Sequence, residues 1–304
     1  MRLDSSANIY PAIATAAYPQ VYRLTVSMAT AVVPGLLKAA VRDILPFFPE
    51  FCVSMARGTF WFTFEPADLI PQVEPAYESQ PRPFEPSDLQ FRILYEKNKI
   101  HLEAFHALTD GSGAVDFLHS ICYRYCQLVY PKILSPAALT FPEALSVCRG
   151  KIFLQNKRTD AMSCKALEGP ESDAYVRVAG KCREKSGFWK MIRQKPAFML
   201  SGSRLDRGQT GAAKVRMPLA GLKAVSNAYD VTVCELLTAV CLYGLMLEYR
   251  DEAVREDRIF RIAVPVNLRP YFKEETPRNF FTCIPVELDP AQDQTPIWPR
   301  TIYA

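Results

Sequence analysis

One histidine in this chain stands where a side chain can do chemistry. His106 opens the run His106-Ala-Leu-Thr-Asp110-Gly111. An imidazole with an ordinary pKa near 6.5 takes and returns a proton at neutral pH. Asp110 is placed to orient the loop or to hold a cation. Gly111 is placed to permit a backbone conformation closed to other residues and to let a substrate approach the main chain. The competing reading is plain turn chemistry, in which Asp-Gly makes the turn and the histidine is incidental. Asp-Gly falls at this offset from one of three histidines by chance in roughly one chain in a hundred. The hexapeptide alone leaves both readings open.

The flanking sequence says what must position it. Gln90–Glu96 and Ile100–Phe105 alternate around the turn-like Lys97-Asn98-Lys99, which predicts a β-hairpin. From Gly113 to Tyr130 the apolar residues Ala114, Phe117, Leu118, Ile121, Tyr125 and Leu128 recur at helical spacing. His106 is therefore expected at a strand-to-helix turn, where a rigid scaffold aims a loop side chain. The other two histidines fit chemistry less well. His101 is expected on the opposite strand face and His119 on the polar side of the helix. The three histidines lack metal-ligand spacing and the nine cysteines form no C-x-x-C pair, so no metal is expected. Neither G-x-G-x-x-G nor a P-loop occurs.

Composition narrows the class. The 304 residues are enough for two domains or one large one. Hydrophobic residues at 49% and charged residues at 22% are ordinary for a globular protein. A net charge of +4 over this length gives no reason to expect a nucleic-acid partner. Several cysteines sit in apolar runs, as buried free thiols do. Their odd number, and an N-terminus without an apolar signal region, lead to the expectation of a reducing, cytoplasmic compartment. Leu236–Leu247 is the longest apolar run and falls short of the ~20 residues of a membrane span, so a buried core helix is expected there.

In chain order, residues 1–20 read as irregular, Val21–Met28 as a strand and Pro34–Leu45 as a helix. Thr59–Phe64 reads as a strand and Pro66–Pro86 as an exposed proline-rich loop. Residues 131–200 read as a connecting region. Leu219–Ala228 and Thr232–Tyr249 read as helices, the second capped by Asp230 or Thr232. Arg258–Val266 and Asn279–Leu288 read as strands. Interleaved strands and helices point to an α+β, α/β layered class.

Beyond these local patterns the chain resembles the chloramphenicol-acetyltransferase-like superfamily, which includes condensation domains. The resemblance is strongest to its bacterial alcohol-acetyltransferase-like branch. His106-Ala-Leu-Thr-Asp110-Gly111 fits that family's H-x-x-x-D-G, and Pro265-Val-Asn-Leu-Arg-Pro270 its second-half strand-end motif. Asn279-Phe280-Phe281 fits the strand that follows. Asn8-Ile-Tyr-Pro11 and Phe198–Arg204 are similar to its N-terminal segment and crossover strand.

The resemblance implies two similar subdomains with a tunnel between them. They would be an N-terminal one over 1–165, a linker or crossover over 166–210 and a partial C-terminal one over 211–304. It further implies an acyltransferase that moves an acyl group, acetyl foremost, from CoA to an alcohol or amine. His106 would be the general base, with no covalent acyl-enzyme and no permanently bound cofactor. Asp110 and Arg269 would pair structurally, and Asn279 would line the tunnel. An acyl carrier protein is the alternative donor, and a non-catalytic remnant the alternative of another class. Family members continue past the Asn279 strand, many with a D-F-G-W-G-like motif that this sequence lacks. The chain thus reads as C-terminally truncated, with Phe280, Phe281 and Ile284 expected to lie uncovered.

Overall fold

Alternation around Lys97-Asn98 builds the centre of the fold. In a computed structural model, which describes residues 2–58, 61–77, 81–131, 173–179, 195–202, 211, 213–274 and 276–292, β5 (Phe91–Glu96) and β6 (Lys99–Phe105) form the hairpin. Lys97 takes the left-handed conformation (φ 49°) that the tight turn needs. The strand β1 (Val21–Ser27) pairs antiparallel with β6, and the short β4 (Val73–Pro75) adds parallel to β5. The sheet order is β1-β6-β5-β4. A second ladder joins β2 (Val53–Arg57) to β3 (Phe62–Pro66).

Helices α2 (Pro34–Ile44) and α3 (Gly111–Val129) belong to the same core as this sheet. The periodic residues Ala114, Phe117, Leu118, Ile121 and Tyr125 of α3 are buried, as their spacing predicts. Phe117 stacks on Phe51 at 4.1 Å and meets Phe91 edge-on at 5.1 Å. Burying one such ring stabilises by about 1.5–3 kcal/mol. Elsewhere on β6 the fully buried Glu103 is held by Arg23, Arg92 and the Tyr77 hydroxyl, which satisfies a charge too costly to bury alone.

The chain forms two compact units. The first gathers the described residues of Met1–Arg183 with Asn267–Phe281. It includes the short helices α1 (Ile9–Ile13), α4 (Ala174–Ala179) and α7 (Arg269–Phe272). The second gathers those of Glu184–Asp206, Thr210–Val266 and Thr282–Ala304. In it α5 (Leu219–Ala228) and α6 (Val233–Arg255) accompany the paired strands β7 (Phe260–Asn267) and β8 (Phe281–Leu288). Leu242, Ala253, Phe260 and Leu288 make its small core. The cap of α6 is Thr232, whose side chain and that of Glu235 complete a capping box. Asp230 instead takes the left-handed turn conformation before it (φ 54°).

Several expectations are corrected. Residues 1–20 are not wholly irregular, because α1 forms with Pro11 in its first turn, where a missing N–H costs nothing. The proline-rich loop contains β4, too short for alternation to reveal. Helix α6 is not a buried core helix: Leu236, Ala239, Leu242 and Ala253 are buried while Leu237, Val240 and Leu247 are exposed. Its apolar residues encircle the axis, but packing covers one stripe. Phe280 is fully buried against Ala174 and Val178 rather than uncovered, whereas Ile284 is exposed. Cys52 and Cys122 are buried thiols, but Cys234, Cys241 and Cys283 are exposed. Phe198–Gly202 forms no strand; the adjacent Ala197 makes a single parallel bridge to Ile259. Most of the connecting region 131–200, and Ser203 and Arg204, lie outside the described residues. Among the described residues no single helix is long and apolar enough to cross a membrane.

Candidate functional site

From His101 to Asp110 every residue is buried except His106, which is half-buried. The backbone explains this. Strand β6 ends at Phe105, the His106 N–H donates to the Gln20 carbonyl (2.9 Å), and the Leu108 N–H returns to the Phe105 carbonyl (2.9 Å). The turn is thereby closed with its apolar side chains inward and the imidazole at the rim. On the other side the Asn279 Nδ2 donates to the carbonyls of His106 (2.9 Å) and Ala107 (3.1 Å). Asn279 is 1% exposed, so it clamps the turn from within.

Asp110 works behind this turn. Its Oδ1 accepts from the Gly113 N–H (3.0 Å), capping α3, and from Arg269 Nη2 (3.1 Å). Its Oδ2 accepts from Arg269 Nη1 (2.9 Å) and from the Phe280 N–H (2.9 Å). Four donors occupy a carboxylate that is 6% exposed, and none belongs to His106. Arg269 presents the planar fork that matches a carboxylate, and it also donates to the carbonyls of Thr276 and Arg278. The structure thus brings Asp110 and Arg269 into direct contact and leaves the imidazole free of both. The 267–281 segment is locked further by Thr109 Oγ1, which donates to the Pro277 carbonyl.

Gly111 does not use the backbone freedom expected of it. It has open space where a Cβ would go, and its φ is not left-handed. The glycine demanded by close approach is Gly113, where a Cβ would strike the Pro277 carbonyl and the Thr109 hydroxyl. In the sequence it is only the first residue of the periodic segment.

Sequence reading passed over the rings around His106. Tyr10 of α1 stacks on the imidazole at 4.1 Å and 12°, and Tyr22 of β1 meets it edge-on at 5.1 Å. Phe281 lies at 6.2 Å. The Tyr22 hydroxyl donates to the carbonyls of Thr109 and Asp110 (3.1 and 3.2 Å), and burial pushes its pKa upward. Burial likewise lowers the His106 pKa from 6.5, against smaller opposing pulls from its own main-chain carbonyl, Asp110 and Asn279. The ring is therefore neutral at neutral pH, able to accept a proton. His101 is buried with Nδ1 against Thr25 Oγ1 (2.8 Å), and His119 is exposed on α3.

Beneath Asn279 lies a buried ionic contact. Asp4 pairs with Arg278 at 2.9 Å and accepts from the Asn279 N–H at 3.2 Å. Burial pushes the Asp4 carboxyl up to about 7 despite that arginine. Among the described residues no group of three or more histidine, cysteine or acidic side chains is placed to hold a metal ion.

The architecture has solved counterparts. SgcC5 from Streptomyces globisporus, in complex with (R)-(-)-1-(2-naphthyl)-1,2-ethanediol and sucrose, superposes with a TM-score of 0.56 at 14% identity, covering 96% of this chain and 69% of that one. A mutant starter condensation domain of rhizomide synthetase RzmA, in complex with C8-CoA, gives 0.54 at 13% identity, with 95% and 65% covered. The fold is condensation-domain-like. Polyketide synthase associated protein 5 from Mycobacterium tuberculosis shares this condensation-domain-like fold at a TM-score of 0.55 and 12% identity, with 95% and 66% covered. The chain spans about two thirds of the length of these proteins. No family model matches the sequence, and no curated protein matches it.

Proposed function

We propose that this protein is an acyltransferase that moves an acyl group from a CoA thioester to a hydroxyl or amine acceptor, with His106 as general base. The observation that carries this reading is a neutral, half-buried imidazole at a strand end, in a turn fixed from behind by Asp110, Arg269 and Asn279. A base needs its proton-accepting form populated at working pH and a fixed position, and a neutral imidazole on a fixed turn supports that role. In the proposed reaction the imidazole takes the acceptor's O–H or N–H proton as that atom bonds to the thioester carbonyl carbon. The C–S bond then breaks, and the imidazolium returns its proton to the leaving thiolate. Such proton transfer contributes about 10²–10⁴-fold to rate, and positioning contributes more. Asp110 and Arg269 hold the loop and do not touch the reacting atoms.

The acyl donor is read as CoA-borne because a similarly folded starter condensation domain is in complex with C8-CoA. A phosphopantetheine arm on a carrier protein presents the same thioester chemistry and is the second reading, favoured by the condensation-domain character of that same neighbour. Thiol release from acyl-CoAs, compared with turnover of the same acyl group on a carrier protein, separates the two. Release from CoA that depends on added alcohol or amine supports the first. Turnover confined to the carrier-bound donor moves the assignment to the second.

A further inference from the structure

A general base in a hydrolase or transferase site is commonly oriented by a third group that hydrogen-bonds its far nitrogen. Among the described residues no group completes such a hydrogen bond to His106. Its Nδ1 is enclosed and unpaired there, although its own main-chain carbonyl and the Asn279 side chain lie near enough to act on it. Asp110, the carboxylate nearest in sequence, spends its oxygens on Arg269, Gly113 and Phe280. Asn279 spends its Nδ2 on the His106 main-chain carbonyl, which fixes the backbone, and its Oδ1 completes no hydrogen bond to the ring. Three aromatic rings among the described residues lie around the imidazole. The Tyr10 ring lies 4.1 Å away and within 12° of parallel, with Tyr22 at the edge and Phe281 further out.

We infer that Tyr10 is a positioning residue for His106, its stacked ring holding the imidazole in one orientation in place of a hydrogen-bonded orienting group. The inference rests on the reading of His106 as the base. A ring stacked at 4.1 Å and a second at 5.1 Å leave the imidazole little room to turn about its side-chain torsion. The electron-rich face of a phenol also attracts a cation, so the same contact favours the imidazolium formed when the base takes its proton. Asp110 is the carboxylate acting on the ring, Tyr10 and Tyr22 are the phenols against it, and Asn279 is neutral. Residue 10 comes from α1, a five-residue helix near the N-terminus, so this element has a task that its length does not suggest.

The test uses the full chain with isotope-labelled histidine and three forms: wild type, Tyr10→Leu and Tyr10→Phe. In the substrate-free wild type the His106 ring protons are expected at upfield, ring-current-shifted positions. Tyr10→Leu keeps an apolar cover but removes the ring. It is expected to abolish that shift and lower the His106 titration midpoint, and to reduce kcat roughly three- to tenfold with KM within about twofold. Tyr10→Phe retains the ring and is expected to restore the ring-current shift and recover most of kcat. An unshifted His106 in the wild type overturns the inference, whether or not the leucine variant folds. So does a leucine variant with unchanged shifts, midpoint and kcat. The spectroscopic arm needs no substrate, so the two readings fail separately. A Tyr10 effect on the ring without any acyl transfer removes the function and keeps the positioning, while acyl transfer indifferent to Tyr10 does the reverse.

Discussion

At the scale of single residues, the hexapeptide divides its labour. His106 is left half-buried and chemically available, while Asp110 is spent on structure. The pair Asp110–Arg269 is largely shielded, with side chains 8% and 14% exposed, and it carries the α3 cap and the Phe280 N–H as well. Removing one partner strands a buried charge and two backbone donors. Asp110→Ala is therefore expected to lower stability by about 3–5 kcal/mol in a denaturant melt; a loss below about 1 kcal/mol would argue that the contact is weak in solution. The His106 ring gives a pH dependence with a definite sign. Its folded-state pKa lies below its unfolded 6.5, so stability from keeping the ring neutral is present above 6.5 and is lost as pH falls through the lower folded value. Activity follows the same direction. Its acidic limb is expected below pH 6.5 and to report the neutral imidazole. A limb above that value would place the working ionisation elsewhere. The existence of the histidine and its turn was legible in the sequence. The four-fold use of Asp110 was not, because two of its donors are main-chain N–H groups that no side-chain pattern announces.

Elements show the same divide between periodic and contact-made features. Helix α3 was legible because one face is buried, and the β5–β6 hairpin because apolar residues alternate with Arg92, His101 and Glu103, polar groups that are themselves buried. Strand β2, in Val53-Ser-Met-Ala-Arg57, is too short for its alternation to stand out, and β4 is three residues ending in proline. Their pairing is decided by neighbours rather than by their own residues. The helix start illustrates how a contact made across the unit sets a local requirement. Gly113 sits against the Pro277 carbonyl, whereas Gly111 faces open space. Gly111→Ala is expected to leave the melting temperature unchanged or slightly raised, since alanine is the better helix former. Gly113→Ala must push backbone apart and is expected to cost about 1–3 kcal/mol. The reverse ranking in a paired thermal melt would mean that α3 and the 277 carbonyl are not in contact.

For the whole molecule, the layered fold class follows from the order of elements, but the membership of its first unit does not. Residues Asn267–Phe281 pack with the unit that carries His106, and their contacts to Asp4, Thr109, Asp110 and the His106 carbonyl join distant parts of the chain. Tyr10 and Tyr22 reach the imidazole in the same way from the N-terminal segment. A reader of the sequence sees only an Asn-Leu-Arg-Pro string and two tyrosines, because long-range contacts leave no period behind. One measurement addresses the proposed acyl transfer, with His106 as base, most directly. Purified wild type and His106→Ala are given a panel of acyl-CoAs with alcohols and amines, thiol release is followed, and folding is checked by thermal melting. The account predicts acceptor-dependent release by the wild type and a loss of about 10²–10⁴-fold in His106→Ala at an unchanged melting temperature. Equal release by a folded His106→Ala protein would contradict it.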